Sequence, residues 1–169
     1  MNAIIDSKFL DLPMNEFAAS KFLHLLGLAL WFGSALSCWL FLLKARSAPD
    51  PGIQAWARRQ VLALATVKHI GFFLLLAGGV GMLHALGWQA AEEFKWLSIK
   101  IGAAALLLLP MEFTGIRLVH IYLPAALKNA SHEEGRQELE KLDRHFFIVF
   151  PILAVVVPAL MLLALMKWP

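Results

Sequence analysis

Three ionisable side chains fall at matching depth in three different apolar runs: His24, His84 and Lys100. His24 lies three residues past Lys21, Lys100 four past Trp96, and His84 four before Trp88. At 1.5 Å per helical residue, each is about 5–6 Å inside the apolar layer. Imidazole is the usual axial ligand of b-type haem, which helical bundles hold between their helices. A nearby lysine can neutralise a propionate. The pattern predicts a haem b site with His24 and His84 as first-choice ligands and Lys100 on a propionate or an acidic substrate group. Taken singly, each side chain also reads as ordinary interface chemistry: a lysine that snorkels, or a histidine bonded to a backbone carbonyl.

A second set lies deeper. His69 is ten residues past Arg59, and Glu112 is ten before Tyr122, so both fall near mid-membrane. A carboxylate at that depth needs a partner or a proton. Arg117 is one prospect, although five positions is a poor helical contact; His69 across the helices is another. His69 and His84 are fifteen residues apart, a rotation of about 60° on one helix. That spacing lets them face one interior at two depths, with His69 serving a second haem and Glu112 and Arg117 serving proton or propionate contacts. Lys68, His120 and His145 read as interfacial anchors and Cys38 as a packing residue.

These groups must be positioned by membrane-spanning helices. The chain has 169 residues, 60% of them hydrophobic and 16% charged, with mean hydropathy +0.69. Soluble domains are less apolar, so the composition predicts a single all-α integral-membrane domain, an antiparallel four-helix transmembrane bundle of cytochrome b-like build. The spans fall at about 22–43, 61–86, 96–122 and 146–166, with a charged cytoplasmic link at 125–144. Pro49, Pro51 and Gly52 turn the chain after the first span, Pro110 kinks the third, and Pro124 closes it. Ser131 with Glu134 has capping-box spacing for a short surface helix. The first residues, MNAIIDSKFLDLPMNEFAAS, lack a signal-peptide pattern and read as an interfacial segment.

On the His24 face, helical spacing aligns Gly27, Leu28, Trp31, Ala35 and Cys38. Gly27 beside His24 leaves room for a flat macrocycle, or else for ordinary helix packing. From Lys100 the corresponding stripe is Ala103, Ala104, Leu107 and Met111, with the same two readings. Gly78, Gly79 and Gly81 allow close helix approach. Basic residues concentrate after the first and third spans (Lys44, Arg46, Arg58, Arg59, Lys128, Arg136, Lys141, Arg144), against Lys8, Lys21, Lys95 and Lys167 opposite. The positive-inside rule places both termini outside, across a bacterial inner membrane. One cysteine excludes an internal disulfide. No phosphate loop, zinc spacing or dinucleotide fingerprint is present, and nothing in the charge pattern calls for nucleic acid.

The run FLHLLGLALWFG, with His24 followed seven residues later by Trp31–Phe32, resembles the first helix of the bacterial four-helix protoporphyrinogen IX oxidases, the HemJ family. WLSIKIGAAALLLLPMEFTGIRL resembles its third, through Trp96, Lys100 and Gly115. Arg58 and Arg59 match basic residues before its second span. Pro151 and Lys167–Trp168–Pro169 resemble its last helix. The outline is also similar to the copper-resistance CopD-type membrane domain. The chain departs from the HemJ pattern where Pro110–Met111 replace Tyr-His and Ile148–Val149 replace Asn-Glu. The resemblance implies haem or porphyrin handling, with His24 and Lys100 as the hallmark pair. The leading expectation is a haem b electron-transfer protein, with one haem or two, exchanging electrons with quinone or a partner subunit. Alternatives are a protoporphyrinogen oxidase acting through His24 and Lys100, a copper carrier using His24, His84 and Met111, and a non-catalytic assembly subunit. A homo-oligomer or a place in a larger membrane complex fits any of these.

Overall fold

In a bilayer the backbone has no water to bond, so each apolar run must close its hydrogen bonds within itself as a helix. The computed structural model describes residues 14–130 and 132–166, and no strand occurs among them. Helix α1 spans Met14–Ser47 and α2 spans Pro51–Leu86. A four-residue turn, α3 (Ala90–Glu93), leads into α4, which covers Lys95–Lys128. Helix α5 spans Glu133–Met166 and carries Pro151 and Pro158 without interruption. Four of these helices are long and apolar enough to cross a membrane, which makes the protein an all-α, four-span bundle.

The helices overrun the expected spans because the polar links are themselves helical. Asp50 caps α2, its Oδ1 accepting from Gly52 N at 2.7 Å, with Pro51 at the first turn. The segment 51–60 therefore extends α2 instead of forming a loop. Most of the charged link at 125–144 is likewise the last turn of α4 and the first three turns of α5. Pro124 does not close the third span; the helix runs on through Leu123–Lys128. Gly87 ends α2 at φ 86°, a left-handed conformation open to glycine, with its N–H on His84 O. The expected Ser131 cap, Lys8, and the Lys167–Trp168–Pro169 end lie outside the described residues.

Helices α1 and α2 form the tightest pair. A Cβ at Gly27 would run into Leu75 N and Gly71 O, one at Gly71 into Trp31 N, and one at Gly78 into His24 N and Ser20 O. Backbone therefore lies against backbone along an antiparallel seam, the packing that small residues permit in membranes. The space beside Gly27 is filled by α2, so the expected macrocycle slot on that stripe is not there. The buried share of the apolar window falls from 44% in α2 to 17% in α4 and 11% in α5. Helix α2 is thus the central post, and α4 and α5 turn most of their surface outward.

Two apolar clusters fill the interior. One gathers Cys38, Leu42, Val61, Ala65, Val119, Leu123, Leu139 and Leu142 toward the α1–α2 and α4–α5 links. The other gathers Trp31, Phe72, Leu75, Leu108, Leu153 and Val157 toward the opposite end. Beyond the first cluster, the Arg58 guanidinium reaches both Asp143 oxygens, at 2.7 and 3.4 Å, and ties α2 to α5.

Candidate functional site

Between the two apolar clusters lies a buried polar network built from three helices. Helix α4 supplies Glu112, which is 3% exposed. Its Oε2 accepts from Lys68 Nζ at 3.0 Å and from Trp31 Nε1 at 3.2 Å. Its Oε1 lies 3.4 Å from His69 Nε2, and neither of those two buried atoms has a hydrogen-bond partner. The other ring nitrogen of His69, Nδ1, meets His120 Nε2 at 2.9 Å, with the two rings 4.9 Å apart. Lys68 and His69 are adjacent on α2, and both are buried.

The local fold explains how α4 aims both ends of this network. A π-helical turn, Ala104–Leu108, precedes Glu112, and a second, Leu118–Tyr122, contains His120. Each inserts extra backbone into the helix and re-phases the side chains beyond it, a feature common at functional positions. Pro110 follows the first such turn and sits at the start of the segment Leu109–Arg117. Thr114 Oγ1 returns a bond to Pro110 O at 2.8 Å. A cavity of about 30 Å³ adjoins the carboxylate and is lined in part by Trp31, Cys38, Lys68, Glu112 and His145.

This geometry corrects several sequence expectations. Lys68 is not an interfacial anchor; it is the closest cation to Glu112. His120, also expected as an anchor, is bonded to His69. Arg117 is exposed and makes no contact with Glu112, so the carboxylate takes the cross-helix partner instead of the one five positions along its own helix. His69 bonds His120 through Nδ1 and faces Glu112 with Nε2, so the structure places it in this polar network. Cys38 does pack as expected, its thiol donating weakly to Val61 O at 3.8 Å.

The layer of His24 and Lys100 is simpler. His24 Nδ1 lies 2.7 Å from Leu75 O. A carbonyl oxygen can only accept, so Nδ1 carries the proton and Nε2 is the basic nitrogen. Lys100 on α4 is half-buried and close enough to His24 to act on its ring electrostatically. Among the described residues it has no acidic partner. His24 and Lys100 therefore share a layer on α1 and α4, without a hydrogen bond between them. His84 is exposed near the end of α2, and no hydrogen bond or ring contact joins it to His24. His69 and His84 do not share one interior. Among the described residues, no group of three or more His, Cys, Asp or Glu side chains is placed to hold a metal ion. His24, His84 and His69, expected as ligands in two separate layers, are not gathered into such a group.

The layer of His24 and Lys100 thus fits a tetrapyrrole in part. His24 offers one imidazole with its second nitrogen already oriented, and Lys100 offers an unpaired cation. The second imidazole and the slot beside Gly27 are lacking.

With this geometry in hand, the class is a four-span integral membrane protein with a histidine and a lysine in one layer toward the α2–α4 link and a buried charge network in its middle. The chain belongs to the family described as "Predicted integral membrane protein (DUF2269)", which matches residues 19–167. No curated protein and no solved structure matches the chain.

Proposed function

We propose that this protein is a membrane redox protein that takes a tetrapyrrole at its outer layer, with haem b as the ligand and His24 and Lys100 as the residues that hold it. The observation that carries this reading is a fixed His24 ring with an unpaired Lys100 in the same layer, since a histidine bonded to a carbonyl is by itself ordinary. His24 donates Nδ1–H to a backbone carbonyl, as metal-ligating histidines do, which fixes the ring and leaves Nε2 as the ligand atom. Lys100, a cation without an acidic partner nearby, suits a propionate. Haem held there would supply one-electron transfer, with a quinone or a partner subunit as the exchange partner. The resemblance of the His24, Trp31 and Lys100 spacing to HemJ proteins supports the same ligand class and makes a porphyrinogen the alternative occupant. The distribution of basic residues supports a bacterial inner-membrane location with both termini outside. The scattered histidines weigh against a copper carrier.

The test is an absorbance spectrum of protein purified with haem supplied, oxidised and dithionite-reduced, with a pyridine haemochrome assay for stoichiometry. The expected result is one b-type haem per chain. It should be lost in His24→Ala, weakened in Lys100→Ala and retained in His69→Ala. A protein without a Soret band, or a His24→Ala variant with an unchanged spectrum, overturns the reading. Porphyrinogen oxidation and copper-binding assays on the same preparation then separate the remaining alternatives.

A further inference from the structure

The polar network at the middle of the bundle is not used by the outer-layer site, and its geometry has a chemistry of its own. Two buried atoms, Glu112 Oε1 and His69 Nε2, face each other at 3.4 Å without a completed hydrogen bond. With a small approach of the two side chains, a single proton on either atom would complete one. Behind His69, its Nδ1 meets His120 Nε2 at 2.9 Å, and His120 is exposed on the outer face of α4. Three titratable groups thus form a row from a buried carboxylate to the surface.

We propose that Glu112, His69 and His120 form a proton relay linking the bundle's interior to the surface of α4. In the starting state, Glu112 is the carboxylate paired with Lys68, and both imidazoles are neutral with their protons on Nε2. A proton from the surface binds His120 Nδ1. The His120 Nε2–H bond breaks as an N–H bond forms at His69 Nδ1. The His69 Nε2–H bond breaks as an O–H bond forms at Glu112 Oε1. One proton has moved to the interior, no electrons have changed hands, and the two imidazoles are neutral again in the opposite tautomer. Return follows the same steps in reverse.

The surroundings suit this exchange. Lys68 Nζ and Trp31 Nε1 both donate to Oε2, which stabilises the carboxylate once Oε1 has lost its proton. Lys68 and His69 face the carboxylate from α2, Cys38 borders it from α1, and His145 shares its cavity from α5. On α4 itself His120 is the relay's outer member, and Arg117 points away, exposed. The cavity of about 30 Å³ beside Glu112 is wide enough for a water molecule. The π turn at Leu118–Tyr122 aims His120 back toward α2.

The experiment is time-resolved infrared spectroscopy after a pH jump on the full chain in lipid nanodiscs. Glu112 is the one buried glutamate among the described residues, so ¹³C-glutamate labelling marks its carboxyl band apart from exposed ones. Loss of that band in the double variant Glu112→Gln/Lys68→Met confirms the assignment. The expected result is a Glu112 band that follows pH. In His120→Phe, at an exposed position, its response slows about a hundredfold, the size of effect seen when a positioned proton-transfer group is removed. Arg117→Gln leaves the rate unchanged. A Glu112 band that ignores pH, or one that responds equally fast in His120→Phe, overturns the relay.

Discussion

Glu112→Gln gives the sharpest test of what holds the centre of the bundle together. Glutamine is nearly isosteric and keeps an oxygen for Trp31 Nε1 to donate to. What it removes is the negative charge. Lys68 Nζ sits 3.0 Å from the carboxylate, with side-chain exposures of 8% and 4% for the lysine and the glutamate. Stripping one partner from a buried ion pair typically costs about 3–5 kcal/mol, because the surviving charge stays buried without compensation. At about 1.4 kcal/mol per decade, that is a loss of roughly two to four powers of ten in the folding equilibrium. Lys68→Met should cost a similar amount by orphaning the carboxylate, unless Glu112 takes up a proton. The double variant removes both charges together and should recover more than half of either single loss, since a buried pair replaced by apolar groups is often neutral. The assay is reversible unfolding of the purified protein in mixed micelles, titrated with sodium dodecyl sulfate, as a double-mutant cycle. If Glu112→Gln lies within about 1 kcal/mol of the wild type, or the double variant is no better than the sum of the singles, the pair is not a coupled buried charge and the reasoning fails.

Two further predictions rest on the same titration. Gly78→Ala drives a methyl into His24 N and Ser20 O of α1 and should destabilise by about 1–3 kcal/mol, the usual cost of overpacking; Gly102→Ala, with no atom within 4 Å of the added carbon, should be neutral or slightly stabilising. Asp143→Ala leaves Arg58 buried and unpaired between α2 and α5 and should cost about 3–5 kcal/mol, whereas Glu133→Ala, which breaks the exposed pair with Arg136, should change stability by less than about 1 kcal/mol.

The four spans were legible because hydropathy and length decide them with little help from tertiary context. Helix ends were less so. Residues 51–60 read as a link because they carry Arg58 and Arg59, yet a proline at the first turn and an aspartate cap are also what starts a helix. Arg58 tolerates burial there because Asp143 comes to meet it from a segment 85 positions away. Depth counting placed Glu112 and His69 in one layer, and the structure joins them. The same counting missed Lys68, although it is His69's immediate neighbour. A lysine was assumed to reach for water, and only the carboxylate across the α2–α4 contact makes burial the cheaper course.

Face assignments failed for a different reason. Counting 100° per residue assumes an unbroken α-helix, and α4 is broken twice. The stripe drawn from Lys100 through Ala104 and Leu107 to Met111 crosses the π turn at Ala104–Leu108, so its phase is lost before it reaches Met111. The second π turn does the same between Glu112 and His120. An ideal helix would set those two side chains about 80° apart, eight positions along. With the extra backbone, His120 closes on His69 while Glu112 faces it from the other nitrogen. Pro110 gave a sign that α4 was irregular, but a proline marks where a helix departs from regularity without saying by how many residues. The layer of His24 and Lys100 escaped this difficulty. His24 lies on unbroken α1 and Lys100 precedes the first π turn, so their shared depth follows from counting alone. Depth, which a π turn barely changes, was legible in both layers, Glu112 with His69 included; facing, which a π turn resets, was not.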